Sequence, residues 1–133
     1  MAEEFKPKVV LALIENHGKI ALIRRRVPVS KVEWAFPGGV SEPGEMDLQT
    51  AEREAKQEVG LTVKAAEKLL ERKHPNTLVQ ISYVHCQLAD GENLIIGEPE
   101  EIAEAVWVTA SQVLDKFTSD VHPTIREFLK KYG

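Results

Sequence analysis

Glu54 and Glu58 stand four residues apart in the stretch DLQTAEREAKQEV, with Gln57 just before Glu58. On a helix these side chains are neighbours, roughly 5–6 Å apart at Cβ. Two carboxylates held that close repel each other, so a helix that keeps both wants positive charge between them. A hard divalent cation, Mg2+ or Mn2+, suits carboxylate and carbonyl oxygens. Just upstream, Gly38 and Gly39 let the backbone approach a ligand closely and expose carbonyl oxygens that can join such a shell. Glu45 and Arg53 sit at opposite ends of this loop and helix, and a pair between them would fix one on the other.

The elements that must position these groups follow from local pattern. Residues 9–15 (VVLALIE) are β-branched and apolar, and Asn16-His17-Gly18 reads as a turn into a second strand over 19–25. Residues 34–36 make a short strand that Pro37-Gly38-Gly39 should end as a glycine turn. Leu48, Ala51, Ala55 and Val59 recur at spacings of three and four, which predicts a helix over 47–59. Gly60 is its C-cap, whereas Met46 is a poor N-cap that Asp47 partly offsets through the helix dipole. Strands over 61–73, 78–88 and 104–108 and helices over 111–117 and 121–131 complete an α/β pattern on one domain, 1–133. The 78–88 strand is a candidate edge on which a homodimer could pair.

Bulk properties narrow the function classes. The chain has 133 residues, a formal charge of -4 and no apolar run of membrane length. That balance argues against a membrane binder or a protein that coats duplex nucleic acid. One cysteine, Cys86, and a charged N-terminus without an apolar leader point to a reducing cytoplasm. No Gly-x-Ser-x-Gly elbow and no P-loop lysine motif is present.

Gly39, Glu45, Arg53, Glu54, Ala55, Glu58, Gly60 and Leu61 occupy a fixed pattern: Gly, five residues, Glu, seven residues, Arg-Glu, apolar, any, Glu-Glu, any, Gly, apolar. This resembles the Nudix box, and Trp34-Ala35-Phe36-Pro37-Gly38 resembles what precedes the box in many members. The resemblance implies an α/β/α sandwich around a mixed sheet. It implies metal-dependent hydrolysis of a pyrophosphate bond in a nucleoside diphosphate linked to another moiety, such as a nucleoside triphosphate or ADP-ribose. The expected partner is a small nucleotide. By position Glu54 and Glu58 are the catalytic and metal-binding carboxylates, with Glu54 also a base for water, and Gly39 or Gly38 adds a carbonyl. A further acid comes from outside the box, where Glu101 and Glu104 are the candidates and Glu104 is preferred; the run Glu98-Pro99-Glu100-Glu101 around them is either a solvated face or a second source of metal ligands.

The pattern is broken at one place, where Gln57 replaces a glutamate. An amide oxygen still coordinates a hard cation but brings no charge. Three readings follow: a working enzyme with an altered shell, a substitution introduced to trap a complex, or a catalytically weak nucleotide sensor on the same fold. Of the remaining residues, Arg25 and Arg26 are candidates for phosphate, with Arg25 on the opposite face from Arg24 and Arg26 by strand alternation. Trp34 either stacks on a base or belongs to the core. His17, His74, His85 and His122 show no paired metal spacing. Specificity is assigned to loops over 27–32 and 74–77.

Overall fold

A strand that is apolar at nearly every position, like VVLALIEN, must be covered on both faces. The computed structural model, which describes residues 7–29, 32–74, 79–117 and 121–132, shows what covers it. Strand β1 (Val9–Asn16) turns through His17-Gly18 into β2 (Lys19–Val29). Their φ angles of 51° and 81° are the paired left-handed conformations of a type I′ hairpin turn. Next come β3 (Val32–Ala35), β4 (Gly38–Val40), helix α1 (Asp47–Val59), β5 (Thr62–Lys73), β6 (Gln80–Asp90) and β7 (Ile102–Thr109). Helices α2 (Ala110–Lys116) and α3 (Pro123–Lys130) close the chain.

The strands form one sheet in the order β3-β2-β1-β6-β5, with β4 also paired to β1 and β7 to β2. β1 and β6 run parallel and the other pairs antiparallel, so the sheet is mixed. Strand alternation divides the core. Val10, Ala12, Ile14, Ala21 and Ile23 pack with Ala51, Ala55 and Val59 of α1 on one face. Leu13, Ile20 and Leu22 pack with Val113 of α2 and Ile125, Phe128 and Leu129 of α3 on the other. The result is the α/β/α sandwich around a mixed sheet.

Three expectations differ from this architecture. Gly38-Gly39 is not a turn but the start of β4, hydrogen-bonded along β1. A Cβ on Gly38 would lie 2.2 Å from the Val10 carbonyl oxygen, so its close approach is to a neighbouring strand. β6 is not an edge, because β1 flanks it on one side and β5 on the other. Alternation also fails at the arginines: a register shift between Arg24 and Arg25 sets Arg24 opposite Glu104 and Arg25 opposite Ile102. Of the two loops assigned to specificity, residues 30–31 and 75–77 lie outside the described residues, as does Leu78.

Candidate active site

Helix α1 is built to hold carboxylates still. At its start the Met46 N–H donates to the Gln49 side-chain oxygen at 2.8 Å, which compensates for a residue that cannot cap with its own side chain. Asp47 is tied down as well: Ser82 Oγ donates to it at 2.8 Å, and Lys8 and Lys68 pair with it. Although burial works against it, those donors hold the Asp47 carboxyl below its usual value. At the far end Gly60 takes the left-handed conformation, φ 70°, and its N–H closes on the Lys56 carbonyl.

The loop before the helix is locked by Arg53. Its Nε donates to Glu45 Oε2 at 2.7 Å and its Nη2 to Glu45 Oε1 at 2.9 Å, a forked pair, and Nη2 also reaches the Val40 carbonyl at 3.0 Å. The Arg53 hydrogen bonds, joined by one from Thr50, draw the Glu45 carboxyl down to about 2. Arg53 Nη1 meanwhile donates to Glu54 Oε1 at 2.8 Å and to the Gln57 side-chain oxygen. One guanidinium thus fixes the loop through Glu45 and orients Glu54 at the same time.

Glu54 and Glu58 are buried, at 9% and 7% exposure, despite their charge. The Gly38 N–H donates to Glu58 Oε1 at 2.8 Å. Gly39 faces Glu54, and a Cβ there would fall 2.5 Å from its carboxylate. Glu98 completes the group, with one carboxylate oxygen from each of Glu54, Glu58 and Glu98 within 4.8 Å of the others. Burial, then the charges of Glu54 and Glu98, push the Glu58 carboxyl up to about 7, against the pull of the Gly38 N–H and Arg25. Three clustered hard oxygen donors whose like charges repel are the donor set that a divalent cation would relieve, so the residues present fit Mg2+ or Mn2+.

The segment that delivers Glu98 docks on the C-terminus of α1. Ile95 N–H donates to the Val59 carbonyl at 2.9 Å and Gly97 N–H to the Glu58 carbonyl at 2.9 Å, filling acceptors that the helix end leaves open. The approach is so close that a Cβ on Gly97 would lie 1.7 Å from the Gln57 backbone oxygen. Sequence reasoning placed Glu98 only within an acidic run and preferred Glu104. The structure puts Glu104 instead opposite Arg24, bonded to its Nε and Nη2 at 2.9 Å, outside the carboxylate group. Gln57 is exposed, and its oxygen is engaged by Arg53 rather than turned to Glu54, Glu58 and Glu98.

Of the other expected site residues, Arg25 lies closest to this chemistry. Its charge acts on Glu58, and its Nε is buried without a hydrogen-bond partner among the described residues. Arg26 is committed elsewhere, with its Nε on the Pro99 carbonyl and its N–H on Glu101. Trp34 lies away from the carboxylates, on the wall of a cavity on the opposite face of the sheet, with Lys116 Nζ 4.2 Å from its ring centroid. Cys86 is buried and its thiol is pushed up to about 12, so it is not a nucleophile.

An acidic constellation on one helix, locked to a preceding glycine strand by an arginine, has the donor chemistry to hold a divalent cation. A family model described as NUDIX domain matches residues 4–132, and the chain belongs to that family. It is a Nudix pyrophosphohydrolase. No curated protein sequence matches it significantly. Among solved structures it is similar to the ORF135 protein of E. coli, at 26% identity and TM-score 0.65, covering 93% of this chain and 86% of that one. It is similar in fold to a NUDIX hydrolase from Nitrosomonas europaea, at 18% identity and TM-score 0.79, covering 98% and 73%. An ADP-ribose pyrophosphatase from Streptococcus suis shares the fold at 21% identity and TM-score 0.64, covering 95% and 86%. No described helix is long and apolar enough to cross a membrane.

Proposed function

We propose that this chain cleaves the pyrophosphate bond of a small nucleotide, a nucleoside diphosphate carrying a further phosphate or another group, with Mg2+ or Mn2+. The observation that carries the reading is the buried group of Glu54, Glu58 and Glu98 set against Gly38 and Gly39. The similar structures include an ADP-ribose pyrophosphatase and a UDP-X diphosphatase, and their substrates share this architecture of two linked phosphates.

The three carboxylates would hold the cation, which when bound would neutralise the pyrophosphate and make its water more acidic. Arg53 keeps Glu54 Oε1 occupied at 2.8 Å, which leaves the other oxygen of Glu54 to hold the cation or to take the proton of the attacking water. Gly38 steadies Glu58 through its N–H, which keeps that carboxylate facing the group rather than solvent. Arg25 brings positive charge to bear on Glu58, its Nε–H unpaired among the described residues, and its guanidinium is the group that would meet a substrate phosphate. Negative charge that develops on the phosphoryl oxygens during cleavage is stabilised there. Gln57 acts on Arg53 and through it on Glu54, so its neutral side chain leaves the three acids intact. That geometry favours a working enzyme over a sensor.

A panel of nucleoside triphosphates, ADP-ribose, nucleotide sugars, NADH and dinucleoside polyphosphates, run with Mg2+, Mn2+ or EDTA, tests the reading. Cleavage at a P–O–P bridge that EDTA abolishes supports it. Metal and nucleotide binding with no product from any member would transfer the assignment to a sensor.

A further inference from the structure

Glu98 reaches the carboxylate group from a connection, residues 91–101, that contains no helix or strand and links β6 to β7. Left free, such a connection would carry Glu98 through many positions, and holding it still costs conformational entropy. Its middle is docked on the end of α1 through the Ile95 and Gly97 N–H groups. It then turns at Glu98, whose carbonyl accepts from the Glu101 N–H at 3.0 Å and the Ile102 N–H at 2.9 Å.

Two side chains hold its first part, both at Glu92. Trp107 Nε1–H donates to the Glu92 carbonyl at 2.8 Å, and Asn16 Nδ2 donates to Glu92 Oε2 at 3.0 Å. The Asn16 tie ends on a flexible carboxylate. The indole is a rigid plate fixed at its root, because Trp107 pairs with Ala21 in the β2–β7 ladder and packs against the core on the α1 side. Trp107 also stands in the strand into which the connection runs. Its N–H therefore staples the beginning of the connection to the strand at its end and closes the acidic loop at its neck.

Beyond the neck, Leu94 and Ile96 pack against the core while Ile95 and Gly97 bond to α1. An alternating strip of this kind can slip by two residues without changing its pattern. Two contacts oppose a slip: the indole at Glu92, and the close approach of Gly97 to the Gln57 backbone. Glu98 is the next residue, so the register of the strip sets where its carboxylate falls. We propose that Trp107 is a positioning residue for Glu98, its indole N–H fixing residues 92–98 on α1 and with them the third carboxylate of the cation site. This rests on the reading of Glu54, Glu58 and Glu98 as that site.

Trp107→Phe keeps an aromatic ring on the core and removes the donor. Benzothienylalanine at the same position keeps the bicyclic shape and lacks only the N–H, so it serves if the phenylalanine variant does not fold. Calorimetric titration of Mn2+ into the nucleotide-free protein needs no turnover. Either variant should bind Mn2+ about threefold weaker than the parent or worse, the effect of one hydrogen bond. Added to Glu98→Gln, the same change should alter affinity by less than about 1.5-fold, because its effect passes through the carboxylate already removed. Hydrogen exchange of the Gly97 amide in metal-free protein reports the docking itself and should quicken about threefold or more. Where Glu98→Gln binds too weakly to titrate, that exchange decides. Parent-like Mn2+ affinity, parent-like exchange at Gly97, or an equal weakening with and without Glu98→Gln each overturns the proposal. A parent that takes up no Mn2+ overturns the cation-site reading instead, and the exchange result still judges the staple.

Discussion

Arg53 is the residue on which the site turns, because its three nitrogens serve Glu45, Val40, Glu54 and Gln57 together. The pairing of Glu45 with Arg53 was legible in the sequence from their spacing. The share that Gln57 takes of the same guanidinium was not, since spacing alone makes residue 57 a neighbour of both carboxylates. Glu45 ionises near 2 in the folded protein against an ordinary 4.5, so its contribution to stability is present above about 4.5 and is lost as pH falls toward 2. Glu45→Gln should flatten the acid limb of a pH–stability curve over that window; an unaltered limb would mean the pair is not formed. At Gly39 the constraint is steric. Gly39→Ala sets a methyl 2.5 Å from the Glu54 carboxylate and should lower turnover at least tenfold with a melting temperature close to the parent's. Parent-like kinetics would show that Glu54 has room to move.

At the scale of elements, periodicity carried far. The apolar spacing over Asp47–Val59 marked α1 to the residue, because an amphipathic stripe and a terminal glycine are local signals. The hairpin at His17-Gly18 was equally local. Glu98 was in view only as part of an acidic run and could not be singled out, because its place is set by bonds from residues 95 and 97 to the end of a helix almost forty positions earlier. One signal was available. Gly97 ends the apolar run Leu94-Ile95-Ile96, and a glycine there speaks for close backbone approach; the structure agrees, since its φ is not positive and no turn requires it. Gly97→Ala would force the 95–98 segment off α1, costing roughly 1–3 kcal/mol and carrying Glu98 away from Glu54 and Glu58. Denaturant unfolding measures the loss, and a midpoint equal to the parent's would contradict the docking. The β2 bulge at Arg24/Arg25 was hidden for a related reason: nothing in the run Arg24-Arg25-Arg26 says which residue slips.

For the whole molecule, alternation of β1 and β2 between two apolar faces explains why the sheet needs helices on both sides. The fold class was legible from that mixture, while the order β3-β2-β1-β6-β5 was not, because pairing partners far apart in sequence leave no local mark. The carboxylates and α1 lie on one face of the sheet and the cavity lined by Trp34 and Arg72 on the other. A cation that binds only the folded carboxylate group should stabilise the entire domain, by about 2.7 kcal/mol at a hundredfold excess over Kd, which calorimetric melting reads as a rise of several degrees. Glu58→Gln should lose most of that rise; an equal rise in both proteins would place the cation elsewhere.

We propose that Glu98, not Glu104, joins Glu54 and Glu58 in the chemistry. Initial rates of metal-dependent P–O–P cleavage, measured side by side for Glu58→Gln, Glu98→Gln and Glu104→Gln on the best substrate of the panel, test it most directly. Glu58→Gln and Glu98→Gln should each lose about tenfold or more, and Glu104→Gln should stay within about twofold of the parent. A parent-like rate in Glu98→Gln together with a collapse in Glu104→Gln would contradict it.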